Sequence, residues 1–226
     1  MAADIINALA RIGPVIIGVV AFLFMFISSI INNKRRKKHL MEFCLRIGFQ
    51  FDQNPVLSLP KTNLRSLNLD KFAKILNLIR GKRGGYHWNI FDYRLTSRRG
   101  GNRHTTVLTM FMVKLQNTSL PSFSLKTKTF FDKLDTSSEK WISFDNHPNF
   151  SKQYILKGDD KERIKEVFNS PILNFFESRK LLMTIEADND YMLFYIGNKR
   201  TPLKDILPFI DKATAVVKLF DKETDL

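Results

Sequence analysis

From Ile12 to Ile31 the chain runs twenty residues without a charged side chain, IGPVIIGVVAFLFMFISSII. A helix of that length matches a hydrocarbon core of about 30 Å, so the segment is long enough to span a bilayer. Gly13, Pro14 and Gly18 fall in its first third, where a membrane helix tolerates them. A cleaved signal peptide would place its cations before the apolar run and small residues after it. Here the order is inverted: only Asp4 and Arg11 precede the run, and Asn32, Asn33 and then Lys34, Arg35, Arg36, Lys37 and Lys38 follow it. We therefore expect an uncleaved anchor. The positive-inside rule then predicts a single pass with the N-terminus outside and everything after Asn33 in the cytoplasm, on a cell inner membrane or plasma membrane.

Charge placement adds to this. Residues 1–129 hold 21 Lys and Arg against 5 Asp and Glu, whereas residues 130–226 hold 15 against 17. The positive field thus belongs to the membrane-proximal half, where anionic headgroups are the nearest partner. The 20 Phe within a chain that is 44% hydrophobic supply enough apolar material for one real core. With Cys44 as the only cysteine, an intramolecular disulfide and a CxxC zinc site are both excluded. Cys44 itself reads as half-buried on the helix after the anchor.

The expected organisation is an anchor at 1–33, a basic juxtamembrane helix at 34–48 and a cytoplasmic α+β domain at 49–226. Leu40, Phe43, Cys44 and Ile47 have helical spacing, and Gly48 is placed to end that helix. Phe49 to Pro60 reads as a short strand and a loop, and Leu67 to Leu76 as a helix or turn. Tyr86 to Thr96 and Thr105 to Leu115 are aromatic and β-branched runs that predict a long antiparallel hairpin, the second strand central and covered on both faces. Shorter strands are expected at Ser122 to Lys126, Trp141 to Phe144 and Gln153 to Lys157. Asp159 with Glu162 predicts a capped helix, and Ser170 with Pro171 predicts a second one. A second hairpin is expected about Asp188 and Asn189. Thr201 and Pro202 open a last helix with a long apolar stripe and a kink at Pro208. Hairpins early and helices late favour a mostly antiparallel sheet with helices packed on one face.

Two Gly-flanked basic stretches stand out: Arg80, Lys82 and Arg83 before Gly84-Gly85, and Arg98, Arg99 and Arg103 around Gly100-Gly101. Read as loops, they lie at opposite ends of the intervening strand, roughly 33 Å apart. They cannot share one compact anion pocket, but together with Lys34 to Lys38 they form a candidate contact for anionic lipid. Each stretch contains the Arg-Gly-Gly unit of RNA-binding segments, yet two isolated copies are far from a repeat array, and turn chemistry accounts for the glycines. Nucleic-acid binding is thus the weaker alternative.

Asp92 lies mid-strand on the face of Trp88 and Arg94 by period-two alternation. An Asp–Arg pair there reads as structural; a hydrolase or transferase site near Asp92 is the other reading, and it lacks a legible second acid or base. The histidines His39, His87, His104 and His147 are scattered without metal-ligand spacing. No catalytic residue, metal or cofactor is assigned, and no small-molecule ligand is legible. Phe91-Asp92-Tyr93 on a strand, a basic Gly-containing turn and the Thr106-Val107 strand resemble an uncharacterised family of bacterial proteins with one N-terminal span and a cytoplasmic domain. That resemblance implies a class and a bacterial setting and carries over no functional residues. The function expected is a non-enzymatic, membrane-tethered interaction domain whose partner is another membrane protein or the anionic inner leaflet.

Overall fold

The computed structural model describes residues 2–53, 55, 62–67, 73–99, 102–129 and 141–221. It divides into two compact units, Met1–Phe43 and Cys44–Leu226.

The first unit lies within helix α1 (Ala2–Ile47). The large apolar side chains described between Ile16 and Ile31 are 41–74% exposed. Among the described residues, one helix is therefore long and apolar enough to cross a membrane.

At the start of the second unit, Gly48 (φ +71°) ends α1 and lets Phe49 N–H reach back to the Cys44 carbonyl at 2.9 Å, as anticipated for that glycine. Cys44 is fully buried rather than half-buried. The strands are β1 (Gln50–Asp52), β2 (Lys74–Arg83), β3 (Tyr86–Arg99), β4 (Asn102–Lys114), β5 (Leu120–Thr127), β6 (Tyr154–Gly158), β7 (Thr184–Asn189) and β8 (Tyr191–Tyr195). All their pairings are antiparallel, in the order β1-β2-β3-β4-β8-β7-β5-β6. Helices α2 (Pro148–Gln153), α3 (Lys161–Val167), α4 (Ser170–Ser178) and α5 (Leu203–Phe220) complete the α+β domain.

The helices cover one face. There Trp88 and Ile90 of β3, Phe111 and Val113 of β4 and Phe194 of β8 are all buried, and Phe209 of α5 stacks on Phe111 at 4.2 Å. On the same face Phe168, which closes α3, touches the rings of Phe123, Phe144, Phe150, Phe176 and Phe220 at 5.0–6.4 Å between centroids. A single ring thereby joins β5, α2, α4 and α5. Gly158 makes this packing possible, because a Cβ there would strike Ile164 of α3 and come within 2.6 Å of the Ser122 carbonyl. On the opposite face Leu78, Phe91, Tyr93, Met110, Met112 and Leu193 pack under Leu64 and Leu67. No helix covers that side among the described residues; the short 3-10 turn Arg65–Leu67 does. Burial on both faces explains why β4 reads as continuously apolar.

Four expectations change. Leu76 belongs to a strand, and the stretch from Arg80 is strand through Arg83, leaving only Gly84 and Gly85 in the turn (φ +63° and +93°). The alternation of β2 is broken by a bulge at Asn77 (φ +51°), which shifts its register on β3 between Leu76 and Leu78. Trp141 to Phe144 is not a strand, although Ile142 N–H donates to the Leu156 carbonyl. The helix caps sit one residue away from those expected: Asp160 accepts from Arg163 N–H and Asn169 from Ile172 N–H. Residues 56–61 and 68–72, which hold parts of the Phe49–Pro60 and Leu67–Leu76 expectations, lie outside the described residues, as do Gly100 and Gly101.

Candidate functional site: a cationic cleft backed by a buried Asp–Arg pair

Asp92, 1% exposed, is held on three sides. Thr109 on the paired position of β4 donates its hydroxyl at 2.8 Å, and the Asn77 amide, aimed by the bulge, donates at 3.1 Å. Arg200 Nε stands 3.5 Å away. The structural reading of Asp92 as half of an Asp–Arg pair therefore fits, but the cation is Arg200 rather than Arg94. Thr109 in turn accepts from Thr201 N–H at 2.9 Å, and its own N–H meets the Lys199 carbonyl at 3.4 Å. This network fastens the segment after β8 to the middle of the sheet. A carboxylate so enclosed is almost fully shielded from solvent and is engaged by the groups that hold the sheet together, as a structural ion pair is.

Arg200, with 23% of its side chain exposed, has its other side toward a cleft of about 390 Å³. Leu181, Met183, Pro208 and Phe209 contribute apolar wall, and Lys180, Lys199 and Lys212 stand with Arg200 around it. Asp205 is the one acidic side chain in the lining. Leu182, 64% exposed, lies at the same place. These residues come from the approach to β7, the loop after β8 and the first turns of α5. No contiguous motif announces them, so they escape a reading along the chain; the only linear hint is the Lys199-Arg200 pair beside the Thr201-Pro202 helix start.

A second buried polar cluster lies on the opposite sheet face. Glu186 accepts from Ser66 N–H at 3.0 Å, from Ser66 Oγ at 2.5 Å and from Tyr195 Oη at 3.0 Å, while Asp188 accepts from Asn63 N–H at 2.8 Å. Two β7 carboxylates thus clamp the backbone of the 62–67 segment over the core. Burial first, and then the charge of Glu186, push the Tyr195 hydroxyl well above its ordinary range; burial also raises Tyr154. Both groups bind their protons more tightly folded than unfolded. Their contribution is complete below the unfolded tyrosine pKa of about 10 and is lost as pH rises toward the folded values. Chemical-denaturation midpoints are accordingly expected to hold up to about pH 10 and fall above it. In the native protein, absorbance at 295 nm should show Tyr195 and Tyr154 ionising at higher pH than in the unfolded chain. A flat stability profile, or ionisation of both tyrosines at the unfolded value, would contradict this arrangement.

The basic candidates are dispersed. Arg83 makes a two-pronged contact with Asp211 of α5, at 2.6 and 2.8 Å, which draws the Asp211 carboxyl below its usual range. Arg80 pairs with Asp52 at 3.8 Å, and Lys82 is exposed on β2. Arg98 registers with Arg103 in the β3–β4 backbone and Arg99 with Asn102, at the end of β3 away from Gly84 and Gly85. Lys34, Arg35, Arg36, Lys37 and Lys38 follow one another on α1, and Lys38 approaches Glu42 at 3.9 Å. His147 meets Glu177 at 3.3 Å. Among the described residues no three His, Cys, Asp or Glu side chains stand close enough together to hold a metal ion.

An N-terminal apolar helix and an eight-stranded antiparallel sheet carrying its helices on one face define the structural class. No protein-family model matches the chain, and no curated protein does. A crystal structure of the mycobacterial trehalose monomycolate transport factor A, TtfA, has a similar fold: TM-score 0.54, 9% sequence identity, 82% of this chain and 92% of that one covered. At that identity the likeness is one of fold.

Proposed function

We propose that the chain is a membrane-tethered, non-enzymatic interaction domain of the bacterial cytoplasm, anchored by one N-terminal span. It holds its folded part beside the inner leaflet to engage a membrane partner. The observation that carries this is the exposed apolar stretch Ile16 to Ile31, followed on the same helix by five consecutive cations. Exposed side chains of that size cost free energy in water and gain it in lipid. Cations at one end favour the cytoplasmic side and add about 1 kcal/mol each against anionic headgroups. The enclosed Asp92 supports a role by binding rather than by chemistry. Burial of Trp88, Phe91, Tyr93 and Phe111 leaves the first hairpin without the exposed aromatic platform that single-stranded nucleic acid needs. The protein of similar fold is a transport factor, and a role by binding in transport suits a tethered domain.

The full chain expressed in bacteria is expected to stay in the membrane pellet through an alkaline carbonate wash and to keep its N-terminus. Vesicle flotation of residues 34–226 should be stronger on anionic than on neutral lipid and should weaken as salt rises. Neutralising Lys34 to Lys38 with Gln should remove most of that anionic preference. Release of the full chain into the soluble fraction with a shortened N-terminus would identify a cleaved signal instead. Salt-independent flotation would remove the headgroup contact.

A further inference from the structure

Several cations of the domain are matched by carboxylates. Arg65, Arg80, Arg83 and Lys114 each have a carboxylate within 4 Å, from Asp159, Asp52, Asp211 and Asp190. Lys180, Lys199 and Lys212 have no such partner among the described residues, although Asp205 shares their cleft. With Arg200 set against Asp92 and one lysine set against Asp205, the cleft keeps two positive charges in excess. Its walls are nevertheless apolar: Leu181, Met183, Ile196, Pro202, Pro208 and Phe209. At about 390 Å³ it falls within the roughly 300–1,000 Å³ range of small-ligand pockets. An apolar cavity with surplus cations around it suits a molecule that is apolar along its length and anionic at one end. A bare inorganic anion leaves the walls empty, and a neutral hydrocarbon leaves the lysines unmatched.

We propose that this cleft binds a single-chain anionic amphiphile, its alkyl chain against Met183, Pro208 and Phe209 and its carboxylate or phosphate head between Lys199 and Lys212. Arg200 is pre-positioned for the same head. Asp92 holds its guanidinium from behind, and Thr109 and Thr201 hold its backbone segment, so little ordering remains to be done on binding. The site lies wholly within residues 180–212 and is independent of the anchor and of the Lys34–Lys38 run.

The test uses the full chain in nanodiscs of neutral phosphatidylcholine, with empty nanodiscs subtracted. Radiolabelled palmitate and lysophosphatidate are titrated, with monopalmitoylglycerol as the uncharged counterpart and inorganic phosphate as competitor. Saturable binding near one molecule per chain is expected for an anionic amphiphile and at least tenfold weaker binding for the glycerol ester. Tighter palmitate binding points to a free fatty acid as the source, and tighter lysophosphatidate binding to a phospholipid head. The double charge reversal Lys199→Glu with Lys212→Glu, at exposed positions, should weaken binding at least tenfold while circular dichroism stays unchanged. The proposal is overturned by wild-type affinity in the double variant, by equal binding of the glycerol ester, by displacement with phosphate alone, or by no saturable binding.

Discussion

Replacing Asp92 with alanine is expected to cost about 3–5 kcal/mol, because it removes one partner of a buried ion pair and leaves the other without its counter-charge. Two donors and a cation are involved: Thr109, Asn77 and Arg200 all face the lost carboxylate. Because Arg200 keeps 23% of its side chain in contact with solvent and can turn into the cleft, the loss belongs near the lower end of that range. For a domain of this size each kcal/mol lowers the melting temperature by about 2–4 °C, giving a drop on the order of 6–12 °C. Exchanging both partners, Asp92→Leu with Arg200→Met, should recover part of the loss, since the double variant leaves no uncompensated charge. Thermal melts of the parent and the two variants check this. A single-variant loss below about 1 kcal/mol, the size of an exposed pair, would mean that the network contributes little to holding the sheet.

Phe168→Ala should be at least as damaging, at about 3–5 kcal/mol, the range for truncating a buried aromatic. The ring is 1% exposed and meets five others drawn from β5, α2, α4, α5 and the segment before α2. Because the surrounding rings sit on separate elements, closing the gap would require several of them to move, and the cavity is expected to add its own cost to the lost transfer energy. Phe168→Leu retains most of the volume and should lose roughly half as much. Denaturant unfolding followed by tryptophan fluorescence measures both. Equal effects of the two substitutions, or an alanine variant within about 1 kcal/mol of the parent, would show that the cluster collapses around the gap.

The parts of this fold that were legible along the chain are those with an unbroken period or an unbroken apolar run. The β3–β4 and β7–β8 hairpins show aromatic and apolar runs separated by polar stretches, and α5 keeps its stripe of Ile206, Ile210, Ala213 and Val217 on both sides of Pro208. What was not legible failed for local physical reasons. The bulge at Asn77 puts Leu78 and Ile79 out of phase with Leu76, so β2 lost its alternation and read as helix and loop. At α3 and α4, neighbouring residues offer the same capping chemistry, Asp159 beside Asp160 and Ser170 beside Asn169, and only backbone geometry selects between them. Asp92 was visible as a charge that needed a partner, but its partner arrives from the far side of a second hairpin. The cleft depends on that same arrival, since its walls and cations are assembled by the docking of α5 and the loop after β8.

The sheet order also bears on how the protein is made. β4 and β5 follow one another along the chain but do not pair, because the β7–β8 hairpin, which comes later in the chain, lies between them. On the ribosome, the nascent domain is therefore two half-sheets with an open strand edge on each until that hairpin emerges. The final hairpin closes both edges at once, so the interval before it emerges is when self-association competes with folding, and synonymous changes that slow translation between residues 128 and 184 would lengthen it.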